Sequence, residues 1–166
     1  MFIKKDRIFK HSLKTGVSFG LPSGIITALG VMVGLHSGTH SKLAIIGGIL
    51  TIAVADSFSD ALGMHVCEEC GEHHPKREIW ESTIFTFISK FFFTASFLIP
   101  VLLFPLPAAV IISVIYGLFM LGLLSFYIAK NQKQKALIVI AEHIIICLIV
   151  IVLTYYIGNL INKIFD

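Results

Sequence analysis

Short clusters of charge divide this chain into apolar runs of about 20 residues, the length that carries a helix across a ~30 Å hydrocarbon core. Lipid offers no partner for backbone N–H and C=O groups. Each run must therefore satisfy them internally, as a helix does. Five runs are read as spans: Gly16–His36, Leu43–Val66, Ile84–Phe104, Pro107–Ala129 and Ala136–Gly158. Composition excludes a water-soluble enzyme domain, because only 14% of the residues are charged, against about 25% in soluble domains. The expected fold is all-α, a single polytopic membrane domain of five transmembrane helices spanning residues 1–166. No repeat or second domain is visible. No short apolar core with a small-residue cleavage site precedes the first span, so no cleavable leader is expected.

The connections are short. Phe104-Pro-Leu-Pro107 forces spans three and four into an antiparallel hairpin, and the one sizeable loop is Cys67–Thr83. Positive charge sets the orientation. Lys4, Lys5, Arg7, Lys10 and Lys14 precede span one; Lys76 and Arg77 lie in the long loop; Lys130, Lys133 and Lys135 lie in the last. With an odd number of spans all these fall on one side, leaving Lys42 and Lys163 on the other. The N-terminus and the long loop are thus expected in the cytoplasm and the C-terminus outside, in an integral protein of the cell membrane. The basic residues flank the membrane and are scattered, so no nucleic-acid partner is expected.

Ionisable groups at membrane depth cost about 2.5–3.5 kcal/mol each on insertion scales, and normally face a cavity or a partner. Asp56 and Asp60 are four residues apart on span two and share a helix face. Continued at helical spacing, that face runs through Met64 to Cys67. Carboxylate oxygen suits hard divalent ions, and sulfur adds affinity for softer transition metals. The stripe is therefore read as a ladder of cation ligands; the plainer alternative is a pair of protonated carboxyls bonded to helix backbone. Lys90 and Glu142 enter spans three and five from the same side at similar depth and are read as a structural ion pair.

Span one carries Gly16, Gly20 and Gly24, a spacing that lets helices approach closely. Pro22 is expected to bend the helix or open its hydrogen-bond ladder, beside the hydroxyls of Ser23 and Thr27. That lining is either packing or part of a transport pathway. The loop Cys67-Glu68-Glu69-Cys70-Gly71-Glu72-His73-His74 is dense in ligands. It is either a solvated acidic loop, a weak collector of metal ions, or a four-ligand zinc-type site built on the Cys-x-x-Cys pair and the two histidines. No nucleophile–base set with an oxyanion donor is visible, so the chain is not read as an enzyme.

Two stretches, Phe19-Gly-Leu-Pro-Ser-Gly-Ile-Ile-Thr-Ala-Leu29 and Ala53-Val-Ala-Asp-Ser-Phe-Ser-Asp-Ala-Leu-Gly-Met64, together with five spans and a large loop after the second, resemble the vacuolar iron transporter family. The resemblance is sharpest over residues 18–66. It implies a homodimer of five-helix subunits with a pathway between the two copies of span one. It also implies exchange of protons for Fe²⁺, Mn²⁺ or a related ion, moved out of the cytosol, with no fixed cofactor. The family's Asp in span one is Ser23 here, and its Met and Glu in span two are Asp60 and Met64. The expected function is thus a proton-coupled divalent-metal transporter whose pathway uses Ser23, Thr27, Asp56, Asp60 and Met64. Glu68, Glu69, Glu72 and the Cys/His cluster would gather the ion. The alternative is a metal-binding or metal-sensing membrane protein that transports nothing.

Overall fold

The computed structural model describes residues 2–71 and 75–165, with side chains from Ser12 onward. Among these residues the chain is entirely helical: α1 Phe2–Thr39, α2 Lys42–Cys70, α3 Lys76–Ser96, α4 Leu98–Leu103, α5 Leu106–Asn131 and α6 Ala136–Phe165. Five stretches are long and apolar enough to cross a membrane: Ser12–Thr39, Lys42–Cys70, Lys76–Leu103, Leu106–Asn131 and Ala136–Phe165. The protein is an integral membrane protein by this measure. Large apolar side chains such as Phe58, Leu62, Ile115, Phe119 and Ile149 face outward, as a lipid-facing surface requires.

The spans run longer than the apolar runs alone suggested. α2 continues through Cys70 and α3 begins at Lys76. Most of the expected Cys67–Thr83 loop is therefore helix. Amphipathic extension past the apolar core explains it: Glu68, Glu78 and Ile79 are buried while Glu69, Cys70 and Trp80 are exposed. Glu72, His73 and His74 lie outside the described residues. The third span breaks into α3 and α4 at Phe97. Pro100 supplies the cause, since its ring crowds the carbonyl of Ser96 and it has no N–H to donate there. Phe97 N–H instead donates to Thr94 O at 3.3 Å, a tighter turn. The expected hairpin follows, with α5 starting at Leu106 and proline in its first turn, where a missing N–H leaves no helical bond unmade. Lys42 Nζ donates to Leu102 O and Phe104 O, 3.3 Å each, and so satisfies the last carbonyls of α4.

α1 is the central helix, packed against α2, α3, α5 and α6. No residue from Gly20 to Gly38 is exposed. Pro22 does not break it; the helix is continuous from Phe2 to Thr39. Two sets of glycines let neighbours in. Gly16, Gly20 and Gly24 receive α3, and a Cβ on Gly20 would meet Ser89 Oγ and, at 2.8 Å, Thr86 O. Gly30, Gly34 and Gly38 receive α6 at Val150, Thr154 and Gly158. With the backbones this close, hydroxyls bond across: Ser89 Oγ donates to Gly16 O at 3.1 Å, and Ser37 Oγ to Tyr155 O at 3.1 Å. His143, at membrane depth on α6, is accounted for by Ser125 Oγ of α5, 2.7 Å from its Nδ1.

Gly158→Ala is expected to destabilise the bundle by about 1–3 kcal/mol, the usual cost of overpacking, because the new Cβ would fall on Gly34 O and Ser37 Oγ. Gly122→Ala, which meets nothing within 4 Å, should be neutral or stabilising by up to ~1 kcal/mol. Thermal unfolding of the two variants in detergent checks the contrast.

Candidate functional site

The aspartates, the serine and the lysine of three different helices meet at one point. Asp56 is the middle residue of α2, and Ser23 and Lys90 lie near the middle of their own spans. Lys90 Nζ is 2.5 Å from Asp60 Oδ2, 2.6 Å from Asp56 Oδ2 and 2.9 Å from Ser23 Oγ. Ser23 Oγ in turn donates to Asp60 Oδ2 at 2.6 Å. The contact with Asp56 is an ion pair without hydrogen-bond alignment, since Asp56 Oδ2 has no hydrogen-bond partner.

Local sequence explains how the cluster forms. Lys90 projects from α3, and its stem passes α1 at Gly24, where an added Cβ would lie 3.4 Å from Lys90 Cγ. The glycine face of α1 thus opens the lane through which an α3 side chain reaches α2. The inner face of α2 is Ile45, Ile49, Ala53, Ser57, Ala61, Met64 and Glu68. Asp56 and Asp60 stand on its edge: their side chains are 30% and 20% exposed, whereas that of Lys90 is 1% exposed. Lys90 is enclosed, and the two aspartates are left partly uncovered.

This geometry changes the expected pairing. Lys90 bonds to Asp56 and Asp60, not to Glu142. α6 meets the glycines of α1 at Val150, Thr154 and Gly158. Glu142 lies about two turns earlier and is exposed. The partner of both acids is the Lys90 side chain rather than helix backbone.

The rest of the proposed ladder divides. Met64 is buried on the inner face of α2, one turn beyond Asp60. Thr27 does not join the cluster; its Oγ1 donates back to Ser23 O at 2.8 Å. Such back-bonding is the common fate of a threonine inside a helix. Cys67 and Cys70 are exposed free thiols on the last turn of α2, and Cys67 keeps the helical register of the aspartates two turns beyond Asp60. Glu69 is exposed and Glu68 is buried. Among the described residues no three His, Cys, Asp or Glu side chains converge as a metal site would require. The zinc-type reading needs His73 and His74, which lie outside them. His65, further along α2, has its Nδ1 3.0 Å from Thr83 Oγ1 and its ring against Trp80.

One feature of α2 escaped the sequence reading. Gly47, Thr51, Ala55, Ser59 and Gly63 form an exposed ridge of mostly small residues at a spacing of four, beside the aspartates. An added Cβ on Gly47 or Gly63 would meet nothing within 4 Å. The repeat has the same spacing as Gly16, Gly20 and Gly24 and is open to the same packing reading.

No family model matches the chain, and neither a curated protein nor a solved structure matches it. The fold and the cluster define a five-span membrane protein with a Lys–Asp–Asp–Ser centre whose lysine is buried and whose aspartates are partly exposed.

Asp60→Ala is expected to cost more stability than Asp56→Ala, by about 1–3 kcal/mol, the penalty for leaving buried donors unmatched. Asp60 takes hydrogen bonds from both Lys90 and Ser23, whereas Asp56 makes only the ion pair. Thermal unfolding in one detergent ranks the two.

Proposed function

We propose that this chain is a membrane carrier for divalent transition-metal ions, Fe²⁺ or Mn²⁺, exchanged against protons. The observation that carries the reading is the convergence of Asp56, Asp60 and Ser23 in mid-membrane, with both aspartates left partly uncovered by the single chain. Acids at this depth are costly and usually mark an ion or proton pathway. With Lys90 charged, the two carboxylates leave one net negative charge in the cluster, a sink for a proton or a cation. Oxygen ligands of this kind suit Fe²⁺ and Mn²⁺, and Met64 one turn away offers a softer donor. Cys67, Glu68, Glu69, Cys70, Glu72, His73 and His74 belong to the α2–α3 end, where an ion would be gathered before entry. A zinc ion held by the two cysteines and two histidines of that stretch is part of the same reading.

The charge pattern supports placing the N-terminus and the α2–α3 connection in the cytoplasm, the C-terminus outside and the protein in the cell membrane. The resemblance to vacuolar iron transporters supports export from the cytosol and a homodimer. A subunit interface between two copies of α1 fits poorly, because that helix is enclosed by its own subunit. The open ridge Gly47–Gly63 of α2 fits better. A second copy seated there would cover the partly exposed aspartates and let two backbones approach closely. On this basis, in a full-length chain carrying Cys67→Ser and Cys70→Ser to remove the exposed native thiols, Ser59→Cys is expected to cross-link two chains under mild oxidation, where Leu137→Cys, on the far α6, is not. Equal cross-linking of both by gel would remove the interface.

A second reading has one observation in its favour. Lys90 already pairs with both acids, as a structural brace would, leaving a metal-binding or metal-sensing protein without flux. Uptake of Mn²⁺ into proteoliposomes under a pH gradient separates the two. The carrier reading expects saturable uptake, reduced at least about tenfold in the Asp56→Asn, Asp60→Asn double variant, an effect of roughly 1.4 kcal/mol or more. Binding without flux supports the brace, and unchanged flux in the double variant refutes the carrier site.

A further inference from the structure

Lys90 stands in the place that a bound cation would take. Its nitrogen has three oxygen neighbours at 2.5, 2.6 and 2.9 Å, supplied by α2 and α1. Those are the oxygens that the carrier reading assigns to the cargo. Lys90 is enclosed in the bundle while Asp56 and Asp60 are left partly uncovered, so the ammonium reaches them from inside and an ion would come from the uncovered edge. Both cannot be accommodated. A divalent ion added to the cluster as it stands would bring its charge against the ammonium within a low-dielectric site, where repulsion is strong.

We propose that Lys90 is a tethered competitor: its ammonium fills the cation position between Asp56 and Asp60 in the empty protein, and a divalent ion binds there only as that ammonium is displaced. The inference rests on the carrier reading and adds the device that closes the site between loads. A carrier whose empty site exposed two bare carboxylates to hydrocarbon would have to change conformation against that cost. A resident ammonium removes the penalty while no ion is bound. It also sets an affinity ceiling, because every incoming ion must replace an existing charged contact, and weak binding favours release. The stem allows the movement. It is a flexible four-carbon chain whose Cγ lies beside Gly24, which presents no side chain of its own.

A brace and a competitor give opposite results when the charge is removed. Mn²⁺ titrations of the full-length protein in detergent, by calorimetry, compare wild type, Lys90→Met and Lys90→Arg. The competitor expects Lys90→Met to bind Mn²⁺ at least about tenfold more tightly than wild type. Lys90→Arg, which keeps the charge on a larger head, should bind no more tightly than wild type. A Lys90→Met protein that folds and binds Mn²⁺ no better than wild type overturns the proposal. If Lys90→Met does not fold, wild type alone decides. Saturating Mn²⁺ should raise acylation of Lys90 by a membrane-permeant amine reagent several-fold, read by mass spectrometry. No increase overturns the proposal. The carrier reading fails separately, through Mn²⁺ binding that survives the Asp56→Asn, Asp60→Asn double variant or is absent from wild type.

Discussion

A charged lysine, two aspartates and a serine, held together in mid-membrane, set the terms for the rest of the bundle. None of the three ionisable groups is tolerable in hydrocarbon by itself. Lys90 Nζ, within 2.5–2.9 Å of the two aspartates and Ser23, ties them into one cluster, and holding it together requires α1, α2 and α3 to keep one relative position. Breaking any one of the contacts leaves a charge or a polar donor without a partner where water cannot replace it. The loss of a partner, more than the gain from the pair, is what makes such clusters decisive for packing.

Close approach is the means by which that position is reached. α3 can carry Lys90 to α2 only because Gly20 and Gly24 hold nothing in the way, and the same helix α1 uses Gly30, Gly34 and Gly38 to admit α6. One small-residue helix thus serves as the core of the bundle, and larger side chains are moved to its other faces: Ile25, Leu29 and Met32 are fully buried against the remaining neighbours. Lipid supplies no hydrophobic drive for helices to associate, so van der Waals contact of backbones and the hydroxyl bonds that close contact permits take its place. Ser89 to Gly16 O and Ser37 to Tyr155 O are bonds of that kind.

The spans, their number and the tight hairpin before α5 were legible in the sequence, because length and apolarity in lipid determine them nearly alone. The pairing of Lys90 was not. Depth along a helix can be counted from the sequence, and it places Lys90 level with Glu142 as well as with the aspartates. It says nothing about which helices are neighbours. That is decided by the glycine lanes of α1, and there the sequence did hold a clue: Gly16, Gly20 and Gly24 sit at the level of Lys90, so the close partner of that stretch gains access to whatever α1 adjoins. Thr27 was misplaced for a different reason. A hydroxyl inside a helix has its own carbonyl ladder within reach, and only a partner with a charge, as Ser23 has in Asp60, draws it away. The Cys-x-x-Cys pair read as loop because its flanks are polar, yet polar residues extend a membrane helix into the interface without breaking it.

The exposure of Asp56 and Asp60 is unequal to that of Lys90, and this asymmetry carries more than the contacts themselves. A purely structural ion pair is stable when both partners are enclosed and all lone pairs are used. Here the cation is enclosed and the anions are left partly open, beside a ridge of small residues on which nothing in the same subunit rests. Open carboxylate edges at mid-membrane are satisfied by water, by an ion or by a second protein surface, and lipid is none of these. A second copy of α2 would seal them from the hydrocarbon while leaving the small side chains as the walls of a narrow lane along the helix. In that arrangement the oxygens would face a lane between α2 helices rather than between α1 helices, and the enclosed lysine would reach them from the opposite side, inside the bundle.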